Sequence, residues 1–234
     1  MMKRHLLTLA ALGAAFFLLG TSALEAQRIT SPYRYIEERQ SLSVFAGYLL
    51  TQSLDPDLGP QAAPVVGARY NLRLGGPIAG EGALAFIPSE RTIFAARGVD
   101  PSDPTRTIPI GVGTASMPLL LAEAGIRLNI TGPRTWNGLA PYALAVGGVV
   151  ANLRGRTAAE EDVPEDELFS FGPGFAVGMG GGTDWYLSRR FSLRAEVRDQ
   201  IWRLTIPQGL TEEGVRDSRW TNNLGLSLGA AYHF

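Results

Sequence analysis

The sequence predicts an all-β chain: a closed eight-stranded antiparallel up-and-down transmembrane β-barrel. Three observations carry that expectation. Asn222 to Phe234, NNLGLSLGAAYHF, alternates strictly, with Leu224, Leu226, Leu228, Ala230, Tyr232 and Phe234 on one face. Asn223, Gly225, Ser227, Gly229, Ala231 and His233 occupy the other, because successive strand side chains point to opposite faces. Similar segments recur along the chain, joined by connections that are short and long in turn. Finally, in the clearest of those segments seven charges fall on the face opposite the large aliphatic residues.

The chain opens with an export signal. Met1 to Arg4 is basic, Leu6 to Leu19 is almost continuously apolar, and small residues follow at Thr21-Ser22-Ala23 and Glu25-Ala26. The apolar run is shorter than the roughly 20 residues a spanning helix needs. Residues 1–26 therefore read as a signal peptide, cleaved after Ala23 or, preferentially, Ala26; an uncleaved anchor is the alternative. Gln27 to Gln40, containing SPYRYIEERQ, reads as a periplasmic leader or short helix. The barrel domain is expected over residues 41–234.

Its strands follow in order. Ser41–Thr51 places Leu42, Val44, Ala46 and Tyr48 on one face. After LDPDLGPQ, Ala63–Leu74 sets Val66, Ala68, Tyr70, Leu72 and Leu74 against Val65, Gly67, Arg69, Asn71 and Arg73. A Gly75-Gly76-Pro77 turn leads into Glu81–Pro88. A long connection rich in Pro, Asp, Arg and Thr is expected over Ser89–Ser116. Met117–Ile130 resumes the alternation, with Glu123, Gly125, Arg127 and Asn129 opposite the aliphatic face. The short TGPRTWN precedes Gly138–Asn152, and a polar loop runs through Ser170. Phe171–Leu187 and Phe191–Leu204 are joined by Ser188-Arg189-Arg190. A last long connection, Thr205–Arg219, precedes the closing strand.

Sorted loops distinguish a membrane barrel, which has short periplasmic turns and longer external loops, from a soluble sandwich. Charge parity places Arg69, Arg73, Glu123, Arg127, Arg194, Glu196 and Arg198 together on one face. Parity alone fits both a lipocalin-type soluble barrel and a membrane barrel turned inside out. The leader and loop sorting favour the second, with the charges paired in the lumen, a role suited to the planar arginine fork. Tyr48, Tyr142, Trp185, Tyr186, Phe191, Trp202 and Tyr232 fit interfacial girdles.

These segments resemble the eight-stranded outer-membrane β-barrel family of the OmpA transmembrane domain and OmpX. The most specific parts are Pro141-Tyr142, Gly182-Thr183-Asp184-Trp185-Tyr186, the run Phe191 to Arg198, and Tyr232-His233-Phe234. The resemblance implies residence in the cell outer membrane and contact with its lipid. It also implies that Tyr232 and Phe234 are an assembly signal read by the barrel assembly machinery. No peptidoglycan-binding domain is expected after the barrel.

Composition excludes several chemistries. A net charge of −1 points to no nucleic-acid partner. The absence of cysteine removes disulfides, thiolate metal sites and a lipidated amino-terminal cysteine. Lys3, in the leader, is the only lysine, so Schiff-base chemistry is excluded. Gly178-Met179-Gly180-Gly181-Gly182 reads as strand glycines rather than a phosphate loop. The acidic run of Glu160, Glu161, Asp162, Glu165, Asp166 and Glu167 is a candidate for divalent cations or extracellular ligands, against the plainer reading of a solvated loop. A Ser–His mechanism would have to use His233, and Glu123 with Glu196 is better read as part of a salt-bridge plug than as an acid–base pair. No enzyme, metal or cofactor is expected. Eight strands enclose a lumen that side chains fill. The expected function is structural or surface-interacting, as a monomer. A narrow solute or lipid barrel is the alternative, and a soluble periplasmic barrel a third reading.

Overall fold

The computed structural model describes residues 31–54, 57–99, 107–161, 163–211 and 217–234. The signal peptide, Gln27 to Thr30 and Asp162 lie outside the described residues. One compact unit spans Tyr33–Phe234. Its strands are β1 (Tyr33–Tyr35), β2 (Gln40–Thr51), β3 (Ala63–Gly75), β4 (Ile78–Val99), β5 (Thr107–Asn129), β6 (Arg134–Trp136), β7 (Leu139–Asn152), β8 (Gly174–Tyr186), β9 (Phe191–Ile206) and β10 (Asp217–His233). Eight of them form the wall in the order β2-β3-β4-β5-β7-β8-β9-β10, and β10 pairs antiparallel with β2 to close it. Closure leaves no wall edge unpaired, which is what a sheet crossing hydrocarbon requires.

The wall is inside out relative to a soluble barrel. In β10, Leu224, Leu226, Leu228 and Tyr232 are exposed, whereas Asn223, Ala231 and His233 are buried. The same division holds in β2, with Leu42, Val44, Tyr48 and Leu50 outside and Ser41, Ser43, Phe45 and Leu49 inside. Water would not tolerate such a continuous apolar exterior, whereas a bilayer demands it.

The connection expected over Ser89–Ser116 is mostly strand. β4 and β5 stay paired from Ile78↔Leu128 to Val99↔Thr107 and rise as a two-stranded arm above the wall. Pro88 and Pro118 oppose each other where the arm leaves it. Leu153 N donates to Pro118 O and Gln61 N to Glu90 O, so each proline turns its missing N–H away from the β4–β5 ladder. The prolines therefore leave that ladder intact while ending pairing with the neighbouring strands. Both lie inside the strands expected from the sequence, and they mark the rim.

Two smaller differences lie at the short-turn end. The segment before the barrel is no helix at Tyr33–Tyr35: β1 pairs antiparallel with β6, inside the stretch expected to be a simple turn. Asn137 and Gly138 both take positive φ, 49° and 82°, and link β6 to β7 by a two-residue turn, the usual use of an Asn-Gly pair. The glycines of β8 are strand residues. A Cβ on Gly180 would lie 2.3 Å from Val197 O, so only glycine permits the close approach of β9.

Candidate functional site: the filled lumen

Two layers fill the barrel. The layer nearer the short turns is ionic, and every member reaches it because strand alternation turns its side chain inward. Arg198, on β9, donates from Nη1 to Glu123 Oε2 (2.7 Å), from Nη2 to Glu81 Oε1 (2.6 Å) and from Nε to Glu196 Oε1 (3.0 Å). Arg194, two same-face positions away beyond Glu196, reaches Asp184 Oδ1 (2.8 Å) and Glu81 Oε2 (3.1 Å), and its side chain is 1% exposed. Arg127 pairs with Asp184 and donates to Asn129 Oδ1 (3.0 Å). Arg69 pairs with Glu196 Oε1 (3.0 Å) and donates to Ser227 Oγ (3.0 Å).

Four guanidinium groups thus face four carboxylates: Arg69, Arg127, Arg194 and Arg198 against Glu81, Glu123, Asp184 and Glu196. The balance matters, because a buried charge left without its counter-ion is far costlier than the pair. Neutral groups complete the network. Tyr142 donates to Glu196 Oε2 (2.7 Å), and its ring lies 3.5 Å beneath the Arg127 guanidinium. Gln200 donates to Glu123 Oε2 (3.2 Å). The Asn71 amide, oriented to satisfy both neighbours, donates to Glu81 Oε2 (2.9 Å) and accepts from Arg194 Nη2 (3.2 Å).

Six of the seven charges singled out in the sequence meet here. Arg73 does not: it is half-buried at the short-turn mouth, where Nη1 donates to Ile36 O (2.5 Å). Glu81 and Asp184 were missed, although their parity, opposite Leu84 and Trp185, carried the signal. Tyr142 and Trp202, assigned to girdles, are buried inside, and Tyr186 is half-buried. Their alternation places them on the inward face, and an aromatic near a strand end reads alike in either role.

Toward the long loops the lumen is apolar. Phe45, Leu49, Ile87, Met117, Leu119, Leu121, Trp202 and Leu204 form one buried cluster with Phe169 and Phe171. The last two come from the loop between β7 and β8, which folds back into the mouth. Burying a phenylalanine in this way contributes about 1.5–3 kcal/mol. A buried pair holds the loop down: Arg91, on the inner face of the arm, donates to Glu160 Oε1 (2.5 Å) and to Phe169 O (2.5 Å). Glu160 also accepts from Thr157 N (2.8 Å), and Arg156 Nη2 donates to Glu160 O (2.9 Å) and Val163 O (3.1 Å).

Within the acidic run singled out for divalent cations, the carboxylates divide into one buried and several exposed. Glu160 is committed to Arg91 in the interior, while Glu161, Glu165 and Asp166 face solvent. Among the described residues no cluster of three or more His, Asp or Glu side chains is placed to hold a metal ion. Replacing Glu160 by alanine would strand Arg91 and release the loop. Limited trypsin digestion of the folded protein should then cut at Arg154 or Arg156 at least about tenfold faster, for a cost of about 1.5–3 kcal/mol.

At the short-turn mouth, His233 Nε2 and Ser192 Oγ lie 2.7 Å apart and the imidazole packs 4.7 Å from Tyr186. Both are buried, and His233 lines a cavity of about 40 Å³ together with Ile36 and Glu38. A second cavity, of about 30 Å³, touches Arg69 and Glu123. Each admits only a few waters.

A barrel of eight antiparallel strands, apolar outside and ion-paired within, has the fold of the eight-stranded outer-membrane β-barrels. No protein-family model matches the chain, and no curated protein matches it in sequence. Among solved structures it is similar to the outer membrane protein OprG from Pseudomonas aeruginosa. That likeness has a TM-score of 0.51 at 11% identity and covers 84% of this chain and 97% of that one. Neisserial surface protein A gives 0.49 at 12% identity, covering 87% and 98%. Outer Membrane Protein W of E. coli gives 0.43 at 16%, covering 85% and 100%. At 11% identity the OprG likeness is one of fold.

Proposed function

We propose that the chain is an integral outer-membrane barrel with a sealed lumen, serving a structural or surface-interacting role. Its short turns face the periplasm and its long loops and β4–β5 arm face outward. The carrying observation is that both layers of the lumen are occupied, one by a neutralised ionic network and the other by an apolar cluster continuous with the folded-back loop. A solute path would have to break buried ion pairs and expel Phe169 and Phe171. In this reading Ser192 and His233 belong to the seal at the periplasmic mouth rather than to a hydrolytic site.

The test combines heat-modifiable gel migration with planar-bilayer recording. A folded-state mobility shift with no discrete single-channel currents is expected. Stepwise currents would establish the narrow-channel alternative, and extraction without detergent a soluble barrel.

Export by residues 1–26, lipid contact along the apolar belt and a monomeric state belong to the same proposal. So does recognition of Tyr232 and Phe234 by the assembly machinery. Phe234 N and O exchange hydrogen bonds with Gln40, so the last residue also closes the barrel seam. Phe234→Ala keeps those backbone bonds and removes the ring. If the ring is the signal, the variant should accumulate unfolded in cells yet refold normally from urea into detergent. Equal losses in both settings would make its role one of stability.

A further inference from the structure

A cleft of about 520 Å³, by far the roomiest space described here, opens at the short-turn end between the β1–β6 ribbon and the β8–β9 turn. Strand pairing builds it. Arg34 and Thr135 are cross-strand partners, so their side chains share one face of the ribbon, the face that lines the cleft. Tyr33 and Trp136, also partners, occupy the opposite face and are exposed. From the facing side come Leu187 and Arg189, and the chain between β1 and β2 adds Glu37 and Glu38.

Three features of this lining are unspent. Arg34 is exposed and has no carboxylate partner among the described residues. Arg189 meets Glu37 at 3.3 Å, but the two side chains are 83% and 59% exposed, and a pair so open to water contributes next to nothing. Thr135 is the informative one. It is 3% exposed, yet its hydroxyl has no hydrogen-bond partner. Buried hydroxyls are normally satisfied, so one bordering a cleft marks a place for a polar group.

Position says what kind of group. The cleft lies beside exposed Trp136, Trp185, Leu187 and Phe191, the aromatic and aliphatic belt that sits at headgroup depth in a bilayer. Its ionic lining carries two cations and two anions. A phosphate alone would gain from the guanidinium groups but be repelled by Glu37 and Glu38. A headgroup holding both a phosphate and a primary ammonium matches all four.

We propose that this cleft seats the headgroup of a zwitterionic phospholipid bearing a primary amine. Arg34 and Arg189 hold the phosphate, Glu37 and Glu38 receive the ammonium, and the Thr135 hydroxyl donates to a phosphate oxygen. The inference deepens the membrane-barrel reading and depends on it. It adds a chemical preference in the inner leaflet, where that reading requires only hydrocarbon.

Native mass spectrometry of the folded protein, released from detergent with equal amounts of phosphatidylethanolamine, phosphatidylglycerol and phosphatidylcholine, tests it. Heat-modifiable migration first establishes that each sample is a folded barrel, so failure of the membrane reading is seen separately. Phosphatidylethanolamine should be retained about fivefold over the other two, a ratio in keeping with one exposed ion pair. Glu38→Gln should erase the preference and Arg34→Gln should lower retention of all three lipids; both residues lie outside the barrel wall. Soluble phosphoethanolamine should compete and inorganic phosphate should not, which separates a headgroup site from a phosphate site. Equal retention of phosphatidylglycerol, a preference that survives Glu38→Gln, or retention unchanged by Arg34→Gln would overturn the proposal.

Discussion

Replacing Arg198 by alanine should destabilise the folded barrel by about 3–5 kcal/mol, the usual cost of removing one partner of a buried pair. Arg198 is the hub of the ionic layer, donating to Glu81, Glu123 and Glu196 at once. Without it three cations face four carboxylates, and among the described residues Glu123 keeps only Gln200 as a side-chain donor. The cost is therefore that of uncompensated charge rather than of one lost contact. Urea titration followed by the fraction of fast-migrating folded band measures it. Arg198→Ala combined with Glu123→Gln restores the four-to-four balance less one pair and should recover part of the loss. A double variant as unstable as the sum of its parts would show that the groups do not act as a network.

The second large effect lies on the other side of the wall. Leu228 is 71% exposed, four residues before Tyr232, and its cross-strand neighbours Ala46 and Ala195 are too small to cover it. Leu228→Arg should cost about 2–4 kcal/mol in a bilayer, the range for arginine near the midplane of a lipid-facing strand. In a soluble barrel the same residue would meet water, and the change would be nearly neutral. Reversible folding into vesicles distinguishes the two.

Much of this was legible because the wall obeys a period of two. Asn223 to His233 and Arg194 to Arg198 each show the two faces without help from any partner, and Arg69, Glu123, Arg127, Arg194, Glu196 and Arg198 of β3, β5 and β9 fall inward accordingly. Glu81 and Asp184 obey the same rule, and only their short or glycine-rich surroundings hid them. What escaped detection depends on distant partners. Nothing near Glu160 announces Arg91, some 69 residues earlier. The three residues of β1 form a strand only because Arg134–Trp136 is there to receive them. The arm was hidden for another reason: a stretch rich in Pro, Asp, Arg and Thr between residues 89 and 116 reads alike as a loop and as a two-stranded ribbon. Tyr142 and Trp202 were misplaced because an amphipathic ring suits a lumen and a membrane interface equally.

The most direct test of an apolar exterior around an ionic interior uses the chain's lack of cysteine, which allows one spin label at a time. Labels at residues 223 to 228, in protein folded into vesicles, would be relaxed with oxygen and with a water-soluble nickel chelate. Positions 224, 226 and 228 should respond strongly to oxygen and hardly to nickel, while 223, 225 and 227 respond weakly to both. Oxygen sensitivity at the odd positions, nickel sensitivity at the even ones, or no alternation would contradict it.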